Sequence, residues 1–309
     1  MSFLGSVGSL MKSSGLEELF ETVYPPNTVS HMISGKAVSR AFRAHVMASS
    51  ALNTLLIEEA DVDGKFLKPL YEKAIEKNLT KEDIYKLSST VEYKALMDAI
   101  ERKKQELEKS SRTAKLWLRY ARYIEVAKNF VAAERTSDWQ LHLDSLDEML
   151  NVFAATGHGN YAKCARLYLE EMRTLSQTHP LLHKEFMDGN HSVKRSAKCW
   201  RGLWTDLAIE QMYMRDIKSA GGLTRGRGMQ ESTRLLWVLS LNSCAIIEKA
   251  LRQLTSTASK GEFHTELRNS RMKRDSEDTE TYLGWFRERN PFATKTENLV
   301  SLSSGLISV

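Results

Sequence analysis

The sequence predicts a mainly α-helical protein, a multi-helix bundle, on three observations. Apolar residues recur every three or four positions over long stretches, the period of a helix with one buried face. Five prolines and sixteen glycines are few breakers for 309 residues. Three strongly periodic stretches between Arg112 and Leu175 are joined by short turns, so they should pack as antiparallel neighbours.

Taken in order, residues 1–58 read as N-terminal helices. Phe3, Val7 and Leu10 lie at helical spacing, and Leu16, Leu19, Phe20 and Val23 resume it after Gly15. Pro25-Pro26 is a break, after which Thr28 can cap a long helix to about Glu58. Ala37, Ala41, Ala44, Ala48 and Ala51 would let that helix approach a neighbour closely. Lys36, Arg40 and Arg43 form a basic row at helical spacing, which is either a solvated face or a surface turned toward nucleic acid. His31 and His45 have no ligand-type neighbours and read as structural.

Residues 59–111 are rich in Lys and Glu and read as an exposed helical insert or arm. Tyr93, Leu96, Ile100 and Leu107 line one side of it, interrupted by Lys103, so the 91–109 helix is a candidate contact for a protein partner. Residues 112–255 read as the helical core. Its stripes are Trp117, Tyr120, Ile124, Ala127 and Val131; Trp139, Leu143, Leu146, Leu150 and Phe153, capped by Ser137; and Tyr161, Cys164, Tyr168, Met172 and Leu175. Trp117, Ile124, Trp139, Leu143, Leu146, Leu150, Tyr168 and Leu236 are expected to be largely buried. His179 and His183 sit four apart near Glu185 and His191, but Pro180 falls between the first pair, and no metal site is expected there. Residues 256–309 read as a charged helix with a polar tail, in which Asn290-Pro291-Phe292 matches a short endocytic-adaptor ligand pattern.

Between Ser196 and Leu241 the chain reads as a helix, a glycine-arginine loop and a second helix. Thr205 can cap the first, where Asp206 suits the positive helix end and shares a face with Glu210; Leu203, Leu207 and Met214 make a neighbouring apolar stripe. Gly221-Gly222 stops it, Arg225-Gly226-Arg227-Gly228 follows, and the next helix opens near Met229. Glycines, arginines and a helix start can together hold a phosphate; the alternative is a solvated loop whose arginines pair with Asp206, Asp216 or Glu231. Neither a Walker loop nor a dinucleotide fingerprint is present.

A net charge of +5 leans weakly toward an acidic partner. Cys164, Cys199 and Cys244 are odd in number and widely spaced, as expected of buried reduced thiols rather than a disulfide framework. No apolar run reaches membrane-spanning length, and the N-terminus lacks a signal pattern. The expected location is intracellular, nuclear or cytoplasmic, with no membrane partner.

Several blocks carry a family resemblance: MSFLGSVGSLMKSSGLEEL, HMISGKAVSRAFRAH, AERTSDWQLHLDSLDEML, FAATGHGNYAKCARLYL and TDLAIEQMYMRDIKSAGGLTRGRGMQES. The chain resembles an uncharacterised multi-copy animal family associated with transposable elements. That family is similar to transposase-like proteins with a ribonuclease-H-like fold and a helical insertion. The resemblance implies that this chain is the helical C-terminal part of such a protein, lacking the N-terminal strands. Glu210, or else Asp206, would be a vestige of its late catalytic carboxylate, and Mg²⁺ would be a cofactor only if the full ancestral site were present. The expectation is a transposable-element-derived, nucleic-acid-associated and catalytically incomplete protein, with Lys36, Arg40, Arg43, Arg225 and Arg227 as phosphate-seeking residues. The alternative is a helical interaction or scaffold module with no nucleic-acid chemistry.

Overall fold

A computed structural model of the chain describes residues 2–76, 88–194, 202–203, 230–233, 235–236 and 269–293. The described elements are α1 (Ser2–Leu10), α2 (Leu16–Glu21), α3 (Pro26–Ile33), α4 (Val38–Ala60), α5 (Leu67–Glu76), α6 (Val91–Ser110), α7 (Arg112–Thr136), α8 (Trp139–Ala155), α9 (Gly159–Thr178), α10 (Pro180–Met187), a two-residue antiparallel ladder of β1 (Val193–Lys194) with β2 (Gly202–Leu203), and α11 (Asn269–Arg289). Leu203, expected in the apolar stripe of a helix, therefore lies in β2. No helix among the described residues is long and apolar enough to cross a membrane.

The chain divides into two compact units. The first comprises Met1–Lys128, Glu148–Ala165 and Met272–Val309, and the second Asn129–Asp147 and Arg166–Arg271. In the first, α1 and α2 pack on α3, α3 on α4, and α4 on α6. Leu96, Ala99, Ile100 and Leu107 of α6 are buried, so the stripe read for this stretch closes onto the chain itself rather than standing out as an arm. At the centre lies an aromatic group: Phe20, His45, Trp117, Tyr120, Tyr282 and Phe286 are all at most 1% exposed. Trp117 meets Tyr120 and Phe286 edge to face, with ring centroids 5.4 and 5.1 Å apart.

The long helix expected from Thr28 to Glu58 is two helices. Pro26 opens α3, where its fixed φ suits the first helical position, so Thr28 lies inside the helix rather than capping it. Gly35 then takes φ +74°, and the carbonyl of His31 accepts the amides of both Lys36 and Ala37, which closes α3 before α4 starts. Apolar periodicity runs straight through this joint and hides it.

In α8 the buried side chains are Trp139, Ser145, Met149, Val152 and Phe153, while Leu143, Leu146 and Leu150 are only half-buried. At 100° per residue the covered face is turned by roughly a quarter turn from the leucine stripe. The cap also moves by one residue. Ser137 sits in the left-handed region at φ +62°, and the Asp138 carboxylate accepts the amide of Leu141. In α9 Leu169 and Leu175 are buried, whereas Cys164 is exposed and Tyr168 half-buried. Leu236 is 63% exposed rather than buried. The adaptor-like pattern at 290–292 is not presented to solvent, because Phe292 is 4% exposed and its amide donates to the Asn290 side chain.

Two glycines make opposite predictions. A Cβ on Gly8 would lie 2.4 Å from the Ile33 carbonyl oxygen, where α1 crosses the end of α3. The helix-propensity gain of Gly8→Ala, about 1 kcal/mol, is then outweighed by overpacking of about 1–3 kcal/mol. Gly284 in α11 has nothing within 4 Å of such a Cβ, so Gly284→Ala gains the propensity term alone. Thermal melts should show the first lower and the second higher than wild type; the same direction in both would contradict this packing.

His45 predicts an acid sensitivity. Its Nδ1 lies 2.9 Å from the Tyr120 hydroxyl, and complete burial lowers its pKa from 6.5 to about 3. In the unfolded chain the ring takes a proton below about pH 6.5, whereas the folded ring does not until about 3. Stability from this group is therefore full above 6.5 and falls with pH between those values. Urea unfolding at pH 5 against pH 7.5 should show a loss on the order of 2 kcal/mol from His45. The His45 ring resonances should remain those of neutral imidazole at pH 5, and a protonated folded ring at that pH would refute the assignment.

Candidate nucleic-acid interface

The described part of the predicted basic row lies at the start of α4. An α-helix leaves its first amides without internal acceptors. Here the residue before the helix is Ala37, which has no side chain able to cap them, and the first turn carries no acid. The amides of Val38, Ser39 and Arg40 meet no acceptor among the described residues. Lys36, in the joint before the helix, and Arg40, in its first turn, are both exposed. Two cations at the positive end of a helix are electrostatically unfavourable in isolation and favourable around an anion.

Arg43 does not continue that row. It is half-buried, and its Nε and Nη2 donate to Asp275 and Asp278 of α11, the latter at 2.6 Å, while Nη1 donates to the Tyr24 hydroxyl. Burial alone would lower the Arg43 pKa, but the bonds to Asp278 and Asp275 outweigh it and raise it. Its charge is committed to the fold. Lys36 also lies off the helix that carries Arg40 and Arg43, so the three residues do not form one helical face. Asp206, Glu210, Arg225 and Arg227 lie outside the described residues.

The second unit holds a polar cluster that residue spacing did not reveal. The Glu134 carboxylate at the end of α7 accepts from His142 Nδ1 at 2.6 Å, and His142 Nε2 lies 3.3 Å from the Tyr168 hydroxyl of α9. With Nδ1 carrying the proton in neutral imidazole, Nε2 accepts from Tyr168. Burial, with Glu134 adding to it, pushes the Tyr168 hydroxyl up to about 12, so it stays a donor at neutral pH. Trp139 stacks on His142 with ring planes 10° apart, and Phe186 and His191 pack against Trp139. The cluster satisfies a buried carboxylate and ties α7, α8 and α9 together. His191 belongs to it, whereas His179 is exposed ahead of α10 and Glu185 binds the Asn190 side chain. Among the described residues no three His, Cys, Asp or Glu side chains converge to hold a metal ion.

Removing Arg43 takes away the cation to which Asp278 and Asp275 are both bonded. Arg43→Ala should cost about 2–3 kcal/mol in chemical denaturation, and Asp278→Asn in that background should recover part of the loss. Strictly additive losses in the double variant would show that Arg43 and Asp278 do not interact.

A family model described as a domain of unknown function (DUF8702) matches residues 1–309. No curated protein and no solved structure matches the chain. With every residue of the chain covered by that model, the protein belongs to the DUF8702 family.

Proposed function

We propose that this chain is a helical, nucleic-acid-associated protein of transposable-element descent, catalytically incomplete, which holds backbone phosphates at the start of α4. The observation that carries the reading is the uncapped N-terminal end of α4 with Lys36 and Arg40 exposed beside it and no acid in its first turn. Such a site reads charge and not base identity, so binding is weak, sequence-independent and steeply salt-dependent. The descent, and the part played by Arg225 and Arg227, rest on the sequence resemblance alone.

A second reading, a scaffold module with no nucleic-acid chemistry, is favoured by one specific feature. Arg43, Arg122, Arg173, Arg287 and Arg289 each pair with a carboxylate of the same chain. Fluorescence anisotropy with labelled duplex DNA and single-stranded RNA separates the two. Lys36→Glu with Arg40→Glu should weaken binding at least tenfold at low salt and flatten the salt dependence by about two in log–log slope. Unchanged binding would move the contact elsewhere, and no wild-type binding at low salt would favour the scaffold.

A further inference from the structure

Resting on the nucleic-acid reading above, we propose that the outward face of α7 at Arg112, Lys115 and Arg119 is a second phosphate-tracking surface for the same kind of partner. The stretch from Arg112 to Ile124 carries four cations and no acid, the first being Glu125. At 100° per residue Arg112, Lys115, Arg119 and Arg122 fall within roughly 80° of arc. That arc lies away from Trp117, Tyr120 and Ile124, which face the core. Arg112 and Arg119 are exposed and Lys115 is half-buried.

This arrangement works against the helix that carries it. The first turn of a helix, where Arg112 and Lys115 lie, favours acids, and like charges three or four apart repel. Some other cations of the first unit are offset by carboxylates: Arg122 by Glu148, Lys128 by Glu125 and Lys103 by Glu59 and Glu106. Arg112, Lys115 and Arg119 have no such partner among the described residues. What marks this row is that its like charges share one arc of one helix, and a polyanion lying along it would relieve their repulsion.

Geometry suits a phosphate strand. The start of α7 is held by Ser111, whose hydroxyl accepts the Ala114 amide at 3.2 Å and donates to the Ala293 carbonyl at 3.3 Å. From Arg112 to Arg119 the row runs about 10 Å, roughly three nucleotides of one strand of a duplex. Tyr123 follows one turn beyond Arg119, half-buried, and offers an aromatic edge beside the strand.

The test uses the full chain with labelled duplex DNA and single-stranded RNA, comparing wild type, the triple variant Arg112→Ala, Lys115→Ala, Arg119→Ala, and the Lys36→Glu, Arg40→Glu variant. The triple variant should bind at least tenfold more weakly at low salt, with a log–log salt slope shallower by about two to three. Its melting temperature should be equal or higher, because self-repulsion is relieved. Should the triple variant melt lower, Lys115→Gln and Arg119→Gln singly should each reduce the slope by about one. Wild-type affinity and slope in the triple variant, with binding lost in the α4 variant, overturn the α7 surface and leave the α4 reading standing. Absence of wild-type binding to both nucleic acids overturns both. Binding to anionic-lipid vesicles without binding to nucleic acid overturns the proposal in favour of a membrane surface.

Discussion

The clasp between Arg43 and the two aspartates of α11 is the constraint on which the first unit turns. It joins residues 232 and 235 positions apart, so α4 and α11 are brought together across most of the sequence. A charge pair of this kind contributes little net stability by itself, because desolvating a guanidinium and two carboxylates offsets most of their attraction. Its value is in what it forbids. Any arrangement that separates α4 from α11 costs the half-buried Arg43 its bonds to Asp278 and Asp275. The apolar core supplies the driving force and the clasp selects one alignment of it.

That division of labour explains which parts of the fold were legible in the sequence. The stripe of α7 was, because Trp117, Tyr120 and Ile124 are large, periodic and buried on one side only. The clasp was not, since residue spacing reveals neighbours three or four apart and says nothing of a partner in another helix far along the chain. Arg43 therefore looked like one more member of a basic row. In α8 the leucines looked like the core, yet Ser145 is 3% exposed and Leu143 is not buried. Small polar residues carry no periodic signal, so a covered face that includes one is invisible to hydrophobic patterning. The 59–111 stretch misled in the opposite sense: its Lys and Glu content suggests an arm, but Leu96, Ala99, Ile100 and Leu107 suffice to seat α6 on α4.

The Glu134–His142–Tyr168 cluster was illegible for a related reason. Glu134 and His142 are eight residues apart across the turn between α7 and α8, and Tyr168 comes from a third helix. No motif spacing encodes such a meeting. Chemically it is a closed chain: the carboxylate accepts, the imidazole relays, and the hydroxyl donates, so each member is satisfied by the next. A buried carboxylate needs a hydrogen-bond donor, and the stacked Trp139 and the packed Phe186 keep the imidazole in place.

Charge in the first unit thus falls into two populations with different physics. Arg43, with its side chain 13% exposed, works in a region that salt screens poorly. Lys36, Arg40, Arg112 and Arg119 stand in solvent, where at 0.1 M salt interactions beyond about 10 Å are largely screened. Added salt relaxes the self-repulsion along α7, which steadies the helix. The clasp changes little. The clasp and the exposed cations therefore answer differently to ionic strength. The exposed cations stand apart from the contacts that hold the core, so the charge of this surface can change while the core and its clasp stay as they are.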